Sequence, residues 1–249
     1  MASMPVRPDR LPPPCPSWIY SNNSDTHTAK DRCWFGTDYI PFRSYVTDIA
    51  GGMVEVIGMG TVNLTTMSLP TQTDLDSHSS ICLKNVLHTP AMLCNIIGRP
   101  IEDDYTIICD SSAPDSSGFI LKNTNGRIAA YFKPMGEGPM LYQVQLGAPP
   151  LGHEFGISPL CSNGRYMIHA FWSQHERQRF EALMASGLMR ASGVEPLTWA
   201  ENRWLTKRFM SEWGIVLAYG LDYSVREHRE EGRAITRILK SHAENEPNV

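Results

Sequence analysis

Several features that would place a sequence quickly are absent from this one. No CxxC pair occurs among its six cysteines (Cys15, Cys33, Cys82, Cys94, Cys109 and Cys161), which excludes a zinc ribbon and a thioredoxin-type redox centre. No window approaches the roughly 18 consecutive apolar residues of a membrane-crossing helix. There is no basic excess: 22 Lys and Arg stand against 26 Asp and Glu, a net charge of −4. The pI is near 6.1, and no nucleic-acid partner is expected. The opening MASMPVRPDRLPPPCP is rich in proline and lacks the apolar stretch of a secretion signal. Six free cysteines in an intracellular, cytoplasmic setting, with no membrane partner, are the expectation. His153-Glu154 and His175-Glu176 lack the second histidine of HExxH, and Gly58-Met59-Gly60 lacks the following helix of a phosphate-binding loop.

What is present is a chain of 249 residues, 42% hydrophobic, enough to fold around a core. From Trp18 to Leu146 the pattern is that of strands. MVEVIGMGTVNLTT alternates apolar and polar residues, and ICLKNVLHTP, YTIICD, GFILKN, RIAAYFK and MLYQVQL follow between turn-forming residues. TQTDLDSHSS is a polar hairpin tip. After the Gly- and Pro-rich LGAPPLGHEFGISPLCSNG, three capping boxes pair Ser173 with Glu176, Thr198 with Glu201, and Ser224 with Glu227. They predict helices near 174–191, 199–219 and 225–242. The last carries an apolar stripe of Ala234, Ile235, Ile238 and Leu239. The expected organisation is a disordered Pro-rich segment over 1–16, a β-barrel over 17–147, a linker over 148–165, an α-helical region over 166–243 and a disordered tail over 244–249. The fold class is mainly β with C-terminal helices, α+β overall.

The β region resembles the retropepsin-like domain of copia-type retrotransposon polyproteins. The likeness runs through Trp18-Ile19, His27, KDRCWF, VIGMGTV, LKNVLHTP and NIIGRP, from Trp18 to about Arg99. It implies a retropepsin-like barrel in which Ile96-Ile97-Gly98 packs beneath the catalytic loop. It also sets the family's catalytic aspartate on Ser21, its hydroxyl residue on Asn22 and its glycine on Asn23. The whole chain is similar to a group of fungal proteins with this barrel, a helical tail containing segments like YMIHAFW and EEGRAI, and no catalytic aspartate. The resemblance therefore implies a domesticated barrel.

That departure decides one function. Aspartic proteolysis needs two carboxylates sharing a proton, and serine cannot act unaided as a base near neutral pH. Asp25, four residues on, would need a rebuilt loop, and a Ser21–His27–Asp25 triad has no nucleophile elbow behind it. His27 and His88 lack neighbours at ligand spacing, so they are expected to hydrogen-bond inside the fold; no metal and no cofactor are expected. Trp18, Tyr20, Trp34, Phe35, Tyr39 and Phe42, followed by Met53, Met59 and Met67, read first as core. They read second as the wall of an apolar pocket, with Ser21, Asn22, Asn23, Asp25 and His27 as its polar groups and Trp34 and Tyr39 as ligand contacts. Two functions follow as expectations. One is binding of an apolar small molecule, extending to cyclisation of a flexible substrate by orientation, as in an intramolecular cycloaddition of fungal specialised metabolism. The other is an inactive protein–protein interaction module, a homodimer or a strand-adding binder.

Overall fold

The computed structural model describes residues 12–70, 77–110, 116–134, 141–161, 164–185 and 195–245. Most of the expected N-terminal segment, the centre of the polar hairpin tip and residues 246–249 of the expected tail lie outside them. Among the described residues the chain is α+β with ten strands and four α-helices, the α-helices all C-terminal to the strands. It forms two compact units, one of Pro14–Ala185 and one that holds the later helices.

The first unit is built on a seven-stranded sheet. Its strands are β1 (Trp18–Tyr20), β2 (Thr28–Ala29), β3 (Ile40–Thr47), β4 (Met53–Met67), β5 (His78–His88), β6 (Asn95–Ile97) and β10 (Tyr142–Gln143). They lie in the order β10-β1-β6-β2-β5-β4-β3. A three-stranded sheet orders β7 (Tyr105–Cys109), β8 (Gly118–Lys122) and β9 (Ile128–Tyr131) consecutively, and β9 packs on β4 and β5. Within the first sheet, β1–β6 and β2–β5 pair in parallel and the other neighbours antiparallel. Among the described residues no pairing joins the edge strands β10 and β3.

The sequence explains these elements locally. In β4 the alternation buries Val56, Gly58, Gly60, Val62, Leu64 and Thr66 while Asn63 and Thr65 face out, as a half-buried strand requires. WIY and NII are instead buried at every position, the mark of strands covered on both faces. A bulge opposite Thr61 leaves Lys84 and Asn85 of β5 out of register, and Asn85 takes a φ of 54°, which asparagine tolerates. Helix α1 (Gln174–Ala185) belongs to this unit with the strands. Its Ser173 Oγ accepts from Glu176 N (3.3 Å), but the Glu176 carboxylate turns to accept from Ser44 Oγ (2.6 Å).

The second unit holds α2 (Trp199–Phe209), α3 (Glu212–Ala218) and α4 (Arg226–Asn245). At Thr198 and Glu201 both halves of the capping box form. The single helix expected over 199–219 is interrupted: Met210 takes a φ of 66°, and Ser211 caps a new helix by accepting from Gly214 N. At the third expected box, the Ser224 hydroxyl donates instead to Asp222 Oδ1 (2.7 Å). Leu205, Ile215, Val216, Tyr219, Ile235 and Ile238 form the buried face. No helix among the described residues is long and apolar enough to cross a membrane.

Candidate functional site

The loop after β1 is held from below by the end of β6. Ser21 N donates to Ile97 O (2.9 Å), Arg99 N donates to Ser24 O (2.8 Å), and Gly98 N donates to His27 Nδ1 (3.0 Å). Gly98 is required by proximity: a Cβ there would stand 2.2 Å from Thr26 O. Ser24 N closes a turn onto Ser21 O (3.1 Å), with Asn22 and Asn23 exposed at its corner.

Over this loop runs an extended segment of the same chain, Ile168 to Trp172. Ser21 Oγ donates to Ile168 O (2.8 Å), Ala170 N to Ser24 Oγ (3.0 Å), Asp25 N to Ala170 O (3.1 Å) and Trp172 N to Asp25 Oδ1 (2.8 Å). On its other side Phe171 exchanges two main-chain bonds with Thr47 at the end of β3 (2.8 and 3.0 Å). The segment is thus a short strand seated between the Ser21–Asp25 loop and β3. Ala170 and Trp172 point inward and are buried, while Phe171 is exposed. Trp172 fixes its end: the indole N–H donates to Ser44 Oγ (2.9 Å), and the ring packs with Phe42 and Phe180 at centroid distances of 6.3 and 6.0 Å.

Asp25 is fully engaged by this segment and by α1. Besides accepting from Trp172 N, its carboxylate pairs with Arg177 Nη2 (3.0 Å), which also donates to Asp25 O (3.0 Å). Arg177 Nε donates to Trp172 O (3.0 Å), and its guanidinium lies 4.9 Å from the Trp172 ring centroid.

Beside the loop opens a cavity of about 510 Å³. It is lined by apolar residues such as Met59, Ile101, Trp172 and Phe180 and by polar and charged ones, among them Asp25, His27, Lys84, Asp103, Asp104, Arg177 and Glu181. Among the expected site residues, Asp25 and His27 line this cavity; Ser21, Asn22, Asn23, Trp34 and Tyr39 do not. Trp34 packs edge-on against Trp18 (5.5 Å) and borders a separate recess of about 230 Å³ with Pro149 and Pro150. Tyr39 lies in the core on Phe35 and His88.

Both inner histidines are held by protein groups. His88 Nε2 meets Lys30 O (3.1 Å), so the neutral ring carries its proton there and Nδ1 accepts from Tyr39 Oη (2.8 Å). Burial, with Arg32 nearby, holds the His88 pKa down to about 3, and burial alone holds that of His27 down to about 4. No group of three or more His, Cys, Asp or Glu side chains among the described residues could hold a metal ion.

The sequence reading did not foresee the Ile168–Trp172 strand. Its signal was there: an isolated Ile-x-Ala-x-Trp alternation beyond a Gly/Pro-rich stretch. The cavity wall from Ile101 and Tyr105 was also missed, because it comes from a part of the chain far from the loop. Comparison with protein-family models, with curated proteins and with solved structures finds no match.

Proposed function

We propose that this chain is a retropepsin-like, barrel-derived protein without peptidase activity that binds a small molecule with an apolar body. The observation that carries the loss of peptidase activity is the occupancy of the Ser21–Asp25 loop. Its hydroxyls, its carboxylate and its main chain all bind the Ile168–Trp172 segment, on the loop that the sequence resemblance aligns with the family's catalytic loop. Water activation between two carboxylates has no chemical basis there. Incubation with a varied peptide library is expected to give no pepstatin-sensitive cleavage. Turnover that disappears in Asp25→Asn would overturn this part.

Binding is supported by the adjoining cavity, whose volume of about 510 Å³ falls in the range of small-molecule sites and whose lining sets apolar residues beside polar and charged ones. With the Asp25 carboxylate bonded to Arg177 and to Trp172 N, a free general base is not what such a site offers. Orientation is, and cyclisation of a flexible substrate by intramolecular cycloaddition is the reaction class that needs mainly orientation. A fluorescent panel of uncharged aromatic and polyene probes is expected to yield ligands that raise the melting temperature with concentration. A panel without a single binder sinks the reading.

A second reading has its own support. The loop and β3 do accept an extended segment, by main-chain pairing on both sides. The same geometry would accept a strand from another molecule, including the equivalent segment of a second copy in a homodimer. Size-exclusion chromatography with light scattering separates the cases: a dimer that dissociates on Trp172→Ala favours strand exchange, and a monomer removes it.

A further inference from the structure

The cavity beside the Ser21–Asp25 loop carries an unbalanced charge. Four carboxylates (Asp25, Asp103, Asp104 and Glu181) line it against two cations, Arg177 and Lys84. Arg177 is paired with Asp25 (3.0 Å) and Lys84 with Asp104 (2.9 Å). The His27 imidazole, its pKa held down to about 4 by burial, adds no charge at neutral pH. Asp103 and Glu181 are left over. They come from different elements, Asp103 from the 3-10 turn Arg99–Asp103 and Glu181 from α1. No cation or hydrogen-bond donor among the described residues meets either carboxylate.

The lining also separates by exposure. Met59, Ile101 and Trp172 are buried, whereas Asp103 and Glu181 are exposed. An apolar body is therefore accommodated inside and a charge at the mouth, where carboxylates can meet it without being stripped of water. A cleft with an excess of one sign and low-dielectric walls concentrates the opposite sign. An anion is repelled there, and both cations that could receive it are already engaged. A bare metal ion gains nothing from the apolar lining, and no group of three or more His, Cys, Asp or Glu among the described residues could hold one.

We infer that the ligand of this cavity is an organic cation, a protonated amine or amidine carried on an apolar ring or chain, with Asp103 and Glu181 as its counter-charges. This rests on the small-molecule reading above and adds the charge of the ligand to it.

The test uses the full chain and three probes of similar size, 2-(2-naphthyl)ethylamine, 2-(2-naphthyl)ethanol and 2-naphthylacetate, which are cationic, uncharged and anionic at neutral pH. In calorimetric titration the amine is expected to bind about fivefold more tightly than the alcohol, the scale of solvent-exposed ion pairs, and the carboxylate more weakly than both. Raising the salt from about 20 mM to about 200 mM should shrink the amine's advantage. In the double variant Asp103→Asn, Glu181→Gln, both changes at exposed positions, the advantage should disappear while the alcohol binds as before. Glu154→Gln, which removes an exposed carboxylate outside the cavity lining, should leave it in place. Equal binding of the three probes to the wild type, or an advantage that survives in the double variant, overturns the charge assignment while the cavity reading stands. An equal loss in Glu154→Gln would trace the advantage to overall charge and overturn the assignment too. Binding of none of the three overturns both readings.

Discussion

The two units of this chain solve the same packing problem by different means. The unit of residues 14–185 buries polar side chains deep within it, His27, Thr66, His88 and Asn95 among them, and ties them to main-chain groups distant in sequence. Asn95, for example, donates to Cys15 O and accepts from Lys30 N at 2.8 Å each. The helical unit is held by one apolar face and by ion pairs such as Glu201–Arg237 (3.0 Å) and Glu212–Arg233 (2.7 Å). It leaves Trp199 and Trp213 75% and 57% exposed. The contrast teaches where chemistry can sit. Buried, mutually committed polar groups demand a unique arrangement, whereas an amphipathic bundle with a solvated outer face tolerates change there.

Four substitutions or conditions should break or sharpen that contrast. The largest effect is expected from Trp172→Ala, which empties the aromatic contact with Phe42 and Phe180 and unpins the strand on the Ser21–Asp25 loop. A loss of about 3–5 kcal/mol should appear in denaturant unfolding, with helical circular dichroism from the second unit persisting. Next comes Gly98→Ala, whose Cβ would strike the Thr26 main chain at 2.2 Å, at about 3 kcal/mol. The matching change in the helical unit, Gly232→Ala, meets a side-chain methyl of buried Val216 at 2.7 Å instead of main chain, and its gain in helix propensity offsets part of that cost. Its measured effect should be far smaller, and equal losses would refute the contrast.

The third is pH. His27 and His88 are uncharged in the folded unit, with pKa values held down to about 4 and about 3, whereas in the unfolded chain they titrate near 6.5. Below about pH 6.5 the unfolded state therefore binds more protons, and stability falls as pH falls, by on the order of 1.4 kcal/mol per pH unit for each ring. In the helical unit the relevant carboxyl is Glu201. Burial raises its pKa, but the Thr198 amide and Arg237 outweigh that and hold it below the usual carboxylate range. Its contribution is present above the unfolded-state value and is lost only as pH falls into the acid range beneath it. Denaturant unfolding at pH 7, 6 and 5 should show the β-rich unit weakening first. The smallest effect is Trp199→Ser, expected within about 0.5 kcal/mol because the ring is 75% exposed; a loss above 2 kcal/mol in thermal melts would show that the ring is covered.

Much of the architecture was legible beforehand. Strands came from period-two patterns in MVEVIGMGTVNLTT and from the short runs after it, because a half-buried strand writes its two faces into alternate residues. Helix starts came from Thr198-x-x-Glu201, since capping is local. The break at Met210 was not legible, as a left-handed φ at methionine is held by surrounding packing and not by its own preference. The candidate site was half legible. Asp25 and His27 were named from their place after β1, and both line the cavity. Asn22 and Asn23 were also named, but the turn puts them in solvent. Trp34 and Tyr39, read first as core and second as pocket contacts, are both buried, Trp34 beside a separate recess and away from the larger cavity.

By itself, then, the sequence determined the elements and the absence of an acid at Ser21, because both are properties of residues and of neighbours a few positions apart. Only the tertiary structure decided that Ile168–Trp172 lies on the loop, that Asp25 is tied to Arg177, and that Gly98 N meets the His27 ring. Those facts join residues about 70 to 150 positions apart, and such pairings are set by how distant buried surfaces fit together, which no local pattern encodes.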